Sequence, residues 1–236
     1  MQFDHVALAT DDVGAALDVL SRRLGGTVIS GGTPGPFRAM QVRMGHATDG
    51  MTVEILEPGE GAPGEFLRRF LAKHGEGPHH LTFKTDDIER ELDRFRELGH
   101  EPMGIQLDSG FWREFFIHPG EGPGTVIQIA QLMAPDPPME ELMVAPAPWS
   151  NPWWPDVERG EERFVLDHVV MGSPDPAATA DYLSRVLGGS LGDDHVVSWG
   201  RDRVKVIESS SEGIEHLVVR GLTEATVAAG THLVPL

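Results

Sequence analysis

Cysteine is absent from the 236 residues. That absence excludes disulfides, thiolate nucleophiles and Cys-ligated zinc or iron–sulfur centres. Cations are scarce: 19 Lys and Arg stand against 37 Asp and Glu, a formal net charge of −18. An acidic excess of this size repels phosphate backbones, so nucleic acid is not an expected partner. Long hydrophobic runs are missing too, and the start MQFDHVALAT has no basic stretch leading into an apolar one. A cytoplasmic protein without a membrane partner is expected. What remains is 40% hydrophobic and 24% charged, the make-up of a folded globular chain. The length suits one large domain or two small ones. Any metal must be held by His, carboxylates and amides.

The chain repeats itself. Residues 3–28, FDHVALATDDVGAALDVLSRRLGGTV, align without a gap to 166–191, LDHVVMGSPDPAATADYLSRVLGGSL, with 12 identities in 26 positions. A fainter copy, HLTFKTDDIERELDRFRELG, begins at His80, and HLVVRGLTEATVAAG marks a fourth start at His216. Four starts imply four copies of one supersecondary unit, the last cut short.

Each unit opens on a short alternating strand such as 5–9, and Thr-Asp-Asp or Ser-Pro-Asp follows as a helix N-cap. Helical spacing comes next, through Val13, Leu17, Leu20 and Leu24 in the first copy and Ile88, Leu92, Phe95 and Leu98 in the second. Gly25-Gly26 and Gly99 supply left-handed stops. Strand-like runs at 39–44, 52–56, 114–117 and 125–130 complete a β-α-β-β-β unit. Residues 133–163 break the pattern with seven prolines and Trp149, Trp153 and Trp154. They read as a linker packed across a surface through its aromatics, or as an arm reaching another subunit. The expected organisation is 1–132, a linker over 133–163, and a partial second domain at 164–236.

Paired βαβββ units with a His on each first strand resemble the vicinal-oxygen-chelate superfamily of glyoxalases, bleomycin-resistance proteins and extradiol dioxygenases. Within it, the N-terminal half is most similar to the methylmalonyl-CoA epimerase family, through DHVALAT, TVEILEP, FLRRFLAKHGEGPHHLTFKTDDI and FFIHPGEGPGTVIQIAQ. The resemblance implies an α+β, glyoxalase-like fold in which two units form one cup-shaped mixed sheet around a single divalent metal. Carried over by position, the ligands are His5, Glu54, His80 and Gln128.

The residues themselves bear on that set. His5 and His80 occupy one place in two copies, and Glu54 and Gln128 lie in the apolar strands TVEIL and TVIQI. The spacings are 49 residues from His5 to Glu54 and 48 from His80 to Gln128. A carboxylate in an apolar run is costly unless paired or metal-bound, although any one of the four alone reads more readily as a hydrogen-bonded core or surface residue. Two imidazoles, a carboxylate and an amide oxygen suit Zn, Co, Ni, Mn or Fe(II). The chemistry implied is proton abstraction next to a carbonyl of a small metal-chelating substrate, by an isomerase, epimerase or lyase.

The epimerase pattern has Gln and Glu where this chain has Glu54 and Gln128, so Glu54 is the expected catalytic base. A second acid, which the family draws from the stretch matched by 37–44, has no carboxylate counterpart there. Arg113 is the candidate substrate-binding residue, while Arg68, Arg69 and Lys73 read as a solvated helix face. His118 reads as structural and His79 as flanking the site. In the second half, His168 and His216 match the two histidines, Lys205 falls nearest to Glu54, and the chain is expected to end before any counterpart of Gln128. That half is therefore read as metal-free. An Fe(II) extradiol-type dioxygenase using His5, His80 and Glu54, and a non-catalytic small-molecule-binding protein, are the alternatives; a homodimer is a further possibility.

Overall fold

The computed structural model describes residues 1–32, 37–59, 64–144 and 164–236. Trp149, Trp153 and Trp154, and with them most of the expected linker, lie outside the described residues.

The same device starts three helices. Asp12, Asp87 and Asp175 each accept a hydrogen bond from the backbone N–H three residues on, at 2.9, 3.0 and 3.0 Å. In each case the hydroxyl two residues before the cap (Thr10, Thr85, Ser173) accepts from the capping residue's own N–H. These paired bonds satisfy backbone donors that a helix start leaves open. They launch α1 (Val13–Leu17), α3 (Ile88–Glu97) and α5 (Pro176–Arg185). Helix α1 widens into a π turn over Asp18–Arg23, with Leu17, Leu20 and Leu24 all buried. The fourth copy has Gly221-Leu222-Thr223 in place of the capping triplet, and no helix forms there.

The strands around these helices are β1 (Gln2–Ala9), β2 (Thr27–Gly32), β3 (Phe37–His46) and β4 (Asp49–Pro58) in the first unit. The second unit has β5 (Gly77–Lys84), β6 (Met103–Gln106), β7 (Trp112–Ile117) and β8 (Val126–Leu132). They form one sheet in the order β2-β3-β4-β1-β5-β8-β7-β6, each unit's order mirrored about its first strand. A second sheet has seven strands, β10-β11-β12-β9-β13-β15-β14. Its strands are β9 (Val165–Ser173), β10 (Ser190–Leu191), β11 (Val196–Trp199), β12 (Asp202–Glu208), β13 (Gly213–Arg220), β14 (Thr226–Ala228) and β15 (Thr231–Pro235). The α+β, glyoxalase-like reading therefore holds: two complete units build the first sheet, and the second repeats the order with its last unit short of a helix and a strand. Two further helices, α2 (Glu65–His74) and α4 (Met139–Val144), lie outside the repeat.

One expectation is overturned by strand register. β5 pairs with β8 so that Thr82, two residues past His80, faces Gln128. β13 pairs with β15 so that Val218, two past His216, faces Val234. The chain thus does reach the place of Gln128, and puts Val234 there. Loss of the helix and a strand shortens the spacing from 48 residues to 18, which defeats any argument from distance along the chain.

By contact the chain divides into two compact units. One comprises Met1–His5, His79–Asp136 and Val169–Glu215. Its core is aromatic: Phe83, Phe95 and Phe115 are fully buried, Phe3 and Trp199 pack on Phe83 at 5.4 and 5.0 Å, and the Trp199 indole donates to Leu187 O. The other comprises Val6–Pro78, Pro137–His168 and His216–Leu236. There α2 places Leu67 and Leu71 against Ala7, Ala9, Ala39 and Leu56. Small alanines on β1 and β3 leave room for the helix to approach.

Candidate metal centre

His5, His80, Thr82 and Gln128 meet in the first of these units. All four are buried, none more than 7% exposed. Successive residues in a strand point to opposite faces, so His80 and Thr82 share a face of β5. The register Thr82↔Gln128 brings the amide beside them. Gln128 Oε1 lies 3.1 Å from His80 Nε2 and accepts from Thr82 Oγ1 at 2.6 Å. Thr82 Oγ1 is also 2.9 Å from His5 Nε2. Glu54 lies on β4 opposite Ala7, two residues past His5, which repeats the Thr82↔Gln128 relation. Gln41 on β3 donates to its Oε1 at 3.4 Å. One ligand atom each of His5, Glu54 and His80 lies within 4.8 Å of the others.

The ring nitrogens facing away from this cluster are held as well. His5 Nδ1 is 2.6 Å from Asp4 Oδ2, and Asp4 Oδ1 pairs with Lys84 Nζ at 2.7 Å. Burial pushes the Asp4 carboxyl up, but the His5 hydrogen bond and the charges of His5 and Lys84 outweigh it and bring it down to about 2. Asp4 is therefore a carboxylate, its His5 contact fixes Nδ1 as the donor, and Nε2 is turned inward. His80 Nδ1 meets His79 Nδ1 at 2.8 Å. Burial, then the neighbouring His79 and His5, hold His80 well below the ordinary imidazole range, so it is neutral. A neutral imidazole is the form that gives a lone pair to a cation.

Other residues singled out in the sequence fall elsewhere. Arg113 sits on the opposite face of β7 and its Nη1 reaches Glu89 of α3 at 3.4 Å. His118 Nδ1 accepts from Gly120 N at 3.1 Å and caps a short helix over Pro119–Glu121, a structural role. Arg68 donates to Gly59 O, while Arg69 and Lys73 are exposed. Phe83 and Phe115 are core. Trp112 donates to Glu114 and Phe116 lies edge-on to His80, both on the side of Gln128.

Three residues of this site escape a reading of ligand types. Thr82 stands two past His80 where the other copies have Ala7, Val170 and Val218, so its hydroxyl is the odd one out. Asp4 precedes its histidine as Asp167 and Glu215 precede theirs, a recurrence visible on alignment. Glu114, whose Oε2 accepts from Gln128 Nε2 at 2.6 Å, gave no signal beyond lying in a strand.

A sheet made of mirrored βαβββ units, with histidines on the two first strands and polar partners on the two last, is a glyoxalase-like fold. Residues 4–116 match the profile of the Glyoxalase/Bleomycin resistance protein/Dioxygenase superfamily. Over 137 residues, 56% of this chain and 98% of the relative, the sequence is 29% identical to the ethylmalonyl-CoA/methylmalonyl-CoA epimerase of Cereibacter sphaeroides. The methylmalonyl-CoA epimerase of Streptomyces coelicolor, solved in complex with 2-nitronate-propionyl-CoA, is 25% identical, with a TM-score of 0.48 over 58% of this chain and 99% of that one. A hypothetical protein of Staphylococcus aureus is only 12% identical but superposes over 99% of both chains with a TM-score of 0.66, which shows the two-sheet fold along the whole length. No helix among the described residues is long and apolar enough to cross a membrane.

Proposed function

We propose that this chain is a divalent-metal-dependent epimerase or isomerase that moves a proton on carbon next to a carbonyl. The observation that carries the reading is the convergence of His5, Glu54 and His80, with Gln128 Oε1 beside His80. Two imidazole nitrogens, a carboxylate and an amide oxygen fit a Zn, Co, Ni, Mn or Fe(II) ion. Such an ion supplies positive charge to a carbonyl oxygen that turns negative as the proton leaves the neighbouring carbon. The protein's own residues set the stage for it. Asp4 and His79 hold the rings of His5 and His80, and Thr82 ties His5 to Gln128. Glu54 is the group that takes the proton, since the amide of Gln128 cannot. In the second half Lys205 and Val234 hold the places of Glu54 and Gln128, and that half is read as carrying no metal.

The names of the relatives make a 2-alkylmalonyl-CoA the first substrate to try. Metal analysis on untagged protein should find about one divalent ion per chain, lost in His80→Ala. Methylmalonyl-CoA in deuterated water should then exchange its α-proton only with metal-loaded protein. Failure to bind any of Zn, Co, Ni, Mn and Fe(II) would end this reading. A second reading, an Fe(II) dioxygenase, is favoured by the two-histidine, one-carboxylate make-up of the cluster. Oxygen uptake with catechols by Fe(II)-loaded protein distinguishes it.

A further inference from the structure

We infer that Glu114 is a positioning residue for the metal centre: it orients Gln128 and lends the site a second negative charge through the amide. The inference rests on the metal reading above. An amide has one end that can bind a cation and one that cannot. Gln128 Nε2 donates to Glu114 Oε2 at 2.6 Å, a charge-assisted bond, and this turns Oε1 toward His80 Nε2 and Thr82 Oγ1. Glu114 is itself held: its Oε2 also accepts from the Trp112 indole at 2.8 Å. Trp112 and Glu114 lie on one face of β7, while Phe115 and Ile117 beside them are fully buried in the core.

The two halves of the sheet divide this work differently. On β4 the carboxylate of Glu54 is in the cluster itself, and across it on β3 stands a neutral amide, Gln41. On β8 the amide is at the cluster, and the carboxylate stands one strand behind it on β7. Two carboxylates then stand close enough to balance a divalent ion, although position 128 carries no charge. A partner of this kind polarises the ligand it holds, and its loss typically costs metal affinity roughly 10- to 100-fold.

The test is a charge relocation. Titration calorimetry with Zn and Co(II) should show Glu114→Gln binding roughly 10- to 100-fold more weakly than wild type, with an altered Co(II) absorption band and an unchanged melting curve. The double variant Glu114→Gln/Gln128→Glu, which moves the carboxylate onto the ligand position, should regain most of the lost affinity. Wild-type affinity in Glu114→Gln would overturn the inference while leaving the metal site standing, as would a double variant that folds but recovers nothing. No binding by wild type would overturn both.

Discussion

The two sheets keep the same supporting network and differ at the centre it supports. In the first, His5 Nδ1 bonds Asp4, Asp4 pairs with Lys84, and Lys84 pairs with Asp136. In the second, His168 Nδ1 bonds Asp167, Asp167 pairs with Arg220 Nε, and Arg220 Nη2 donates to both carboxylate oxygens of Asp49. Lys84 and Arg220 are each four residues past the second histidine of their sheet. Register then locates the divergence: Glu54 faces Ala7 where Lys205 faces Val170, and Gln128 faces Thr82 where Val234 faces Val218. A network that persists where the ligands have gone belongs to the architecture of the strand pair. On the proposed reading, the ligand positions are what would make only the first centre a metal site, because a lysine repels a divalent ion and a valine offers no donor.

Copying the second centre onto the first should have the largest effect. Glu54→Lys is expected to take metal content from about one ion per chain to none, with the fold kept, as metal analysis beside circular dichroism would show. His168→Ala should leave the content unchanged. Metal retained by Glu54→Lys, or lost in His168→Ala, would break the contrast between the sheets.

Next in size comes the support that second-half residues give first-half ones within a unit. Trp199 on β11 packs against Phe3 and Phe83 and is 7% exposed. Trp199→Ala should cost about 3–5 kcal/mol in denaturant unfolding, even though no ligand is touched. A loss below about 1 kcal/mol would mean that this second-half side chain adds little to the unit's core.

How much of this was legible in the sequence follows the same division. The repeat betrayed the fold, because matching Thr-Asp-Asp and Ser-Pro-Asp triplets start matching helices and their strands follow in fixed order. The family resemblance supplied His5, Glu54, His80 and Gln128 as ligand candidates, and the symmetric spacing of polar residues in apolar strands agrees with that set. Val234 was missed because counting along the chain fails once a helix is deleted; only register recovers it. Glu114 was missed because its role depends on which neighbour it meets across β7 and β8, and a lone glutamate in an alternating strand has no mark of that. Arg113, the candidate substrate-binding residue, shows how alternation matters: it turns the side chain to the other face of β7, toward Glu89 on α3.

Acid should separate the centres more gently. Folded His80 resists protonation, whereas the unfolded chain titrates near the ordinary 6.5. As pH falls below that value the unfolded state binds the extra proton, so the metal-free protein loses stability until the folded pKa is passed; above it the effect vanishes. The slope attributable to His80 is up to about 1.4 kcal/mol per pH unit. Melting of metal-free wild type and His80→Asn between pH 7.5 and 5 measures it as the difference between the two. Parallel curves would show that His80 is not held neutral.

The smallest predicted effects test whether the shared network has acquired a local meaning. Arg220→Met removes a cation that is 39% exposed, so solvent screens its pairs and the cost should be about 1 kcal/mol, most of it from the buried Asp167. Metal affinity should not change. Lys84→Met removes the corresponding cation beside Asp4, with a similar cost in stability. Here Asp4 also steadies a ligand ring, so metal binding should weaken as well, by less than about tenfold because the lysine acts at one remove from His5. Calorimetric titration of both variants decides the matter. If Lys84→Met binds metal as wild type does, the Asp–His–cation chain is scaffold in both sheets, and the metal centre owes it nothing beyond a folded strand.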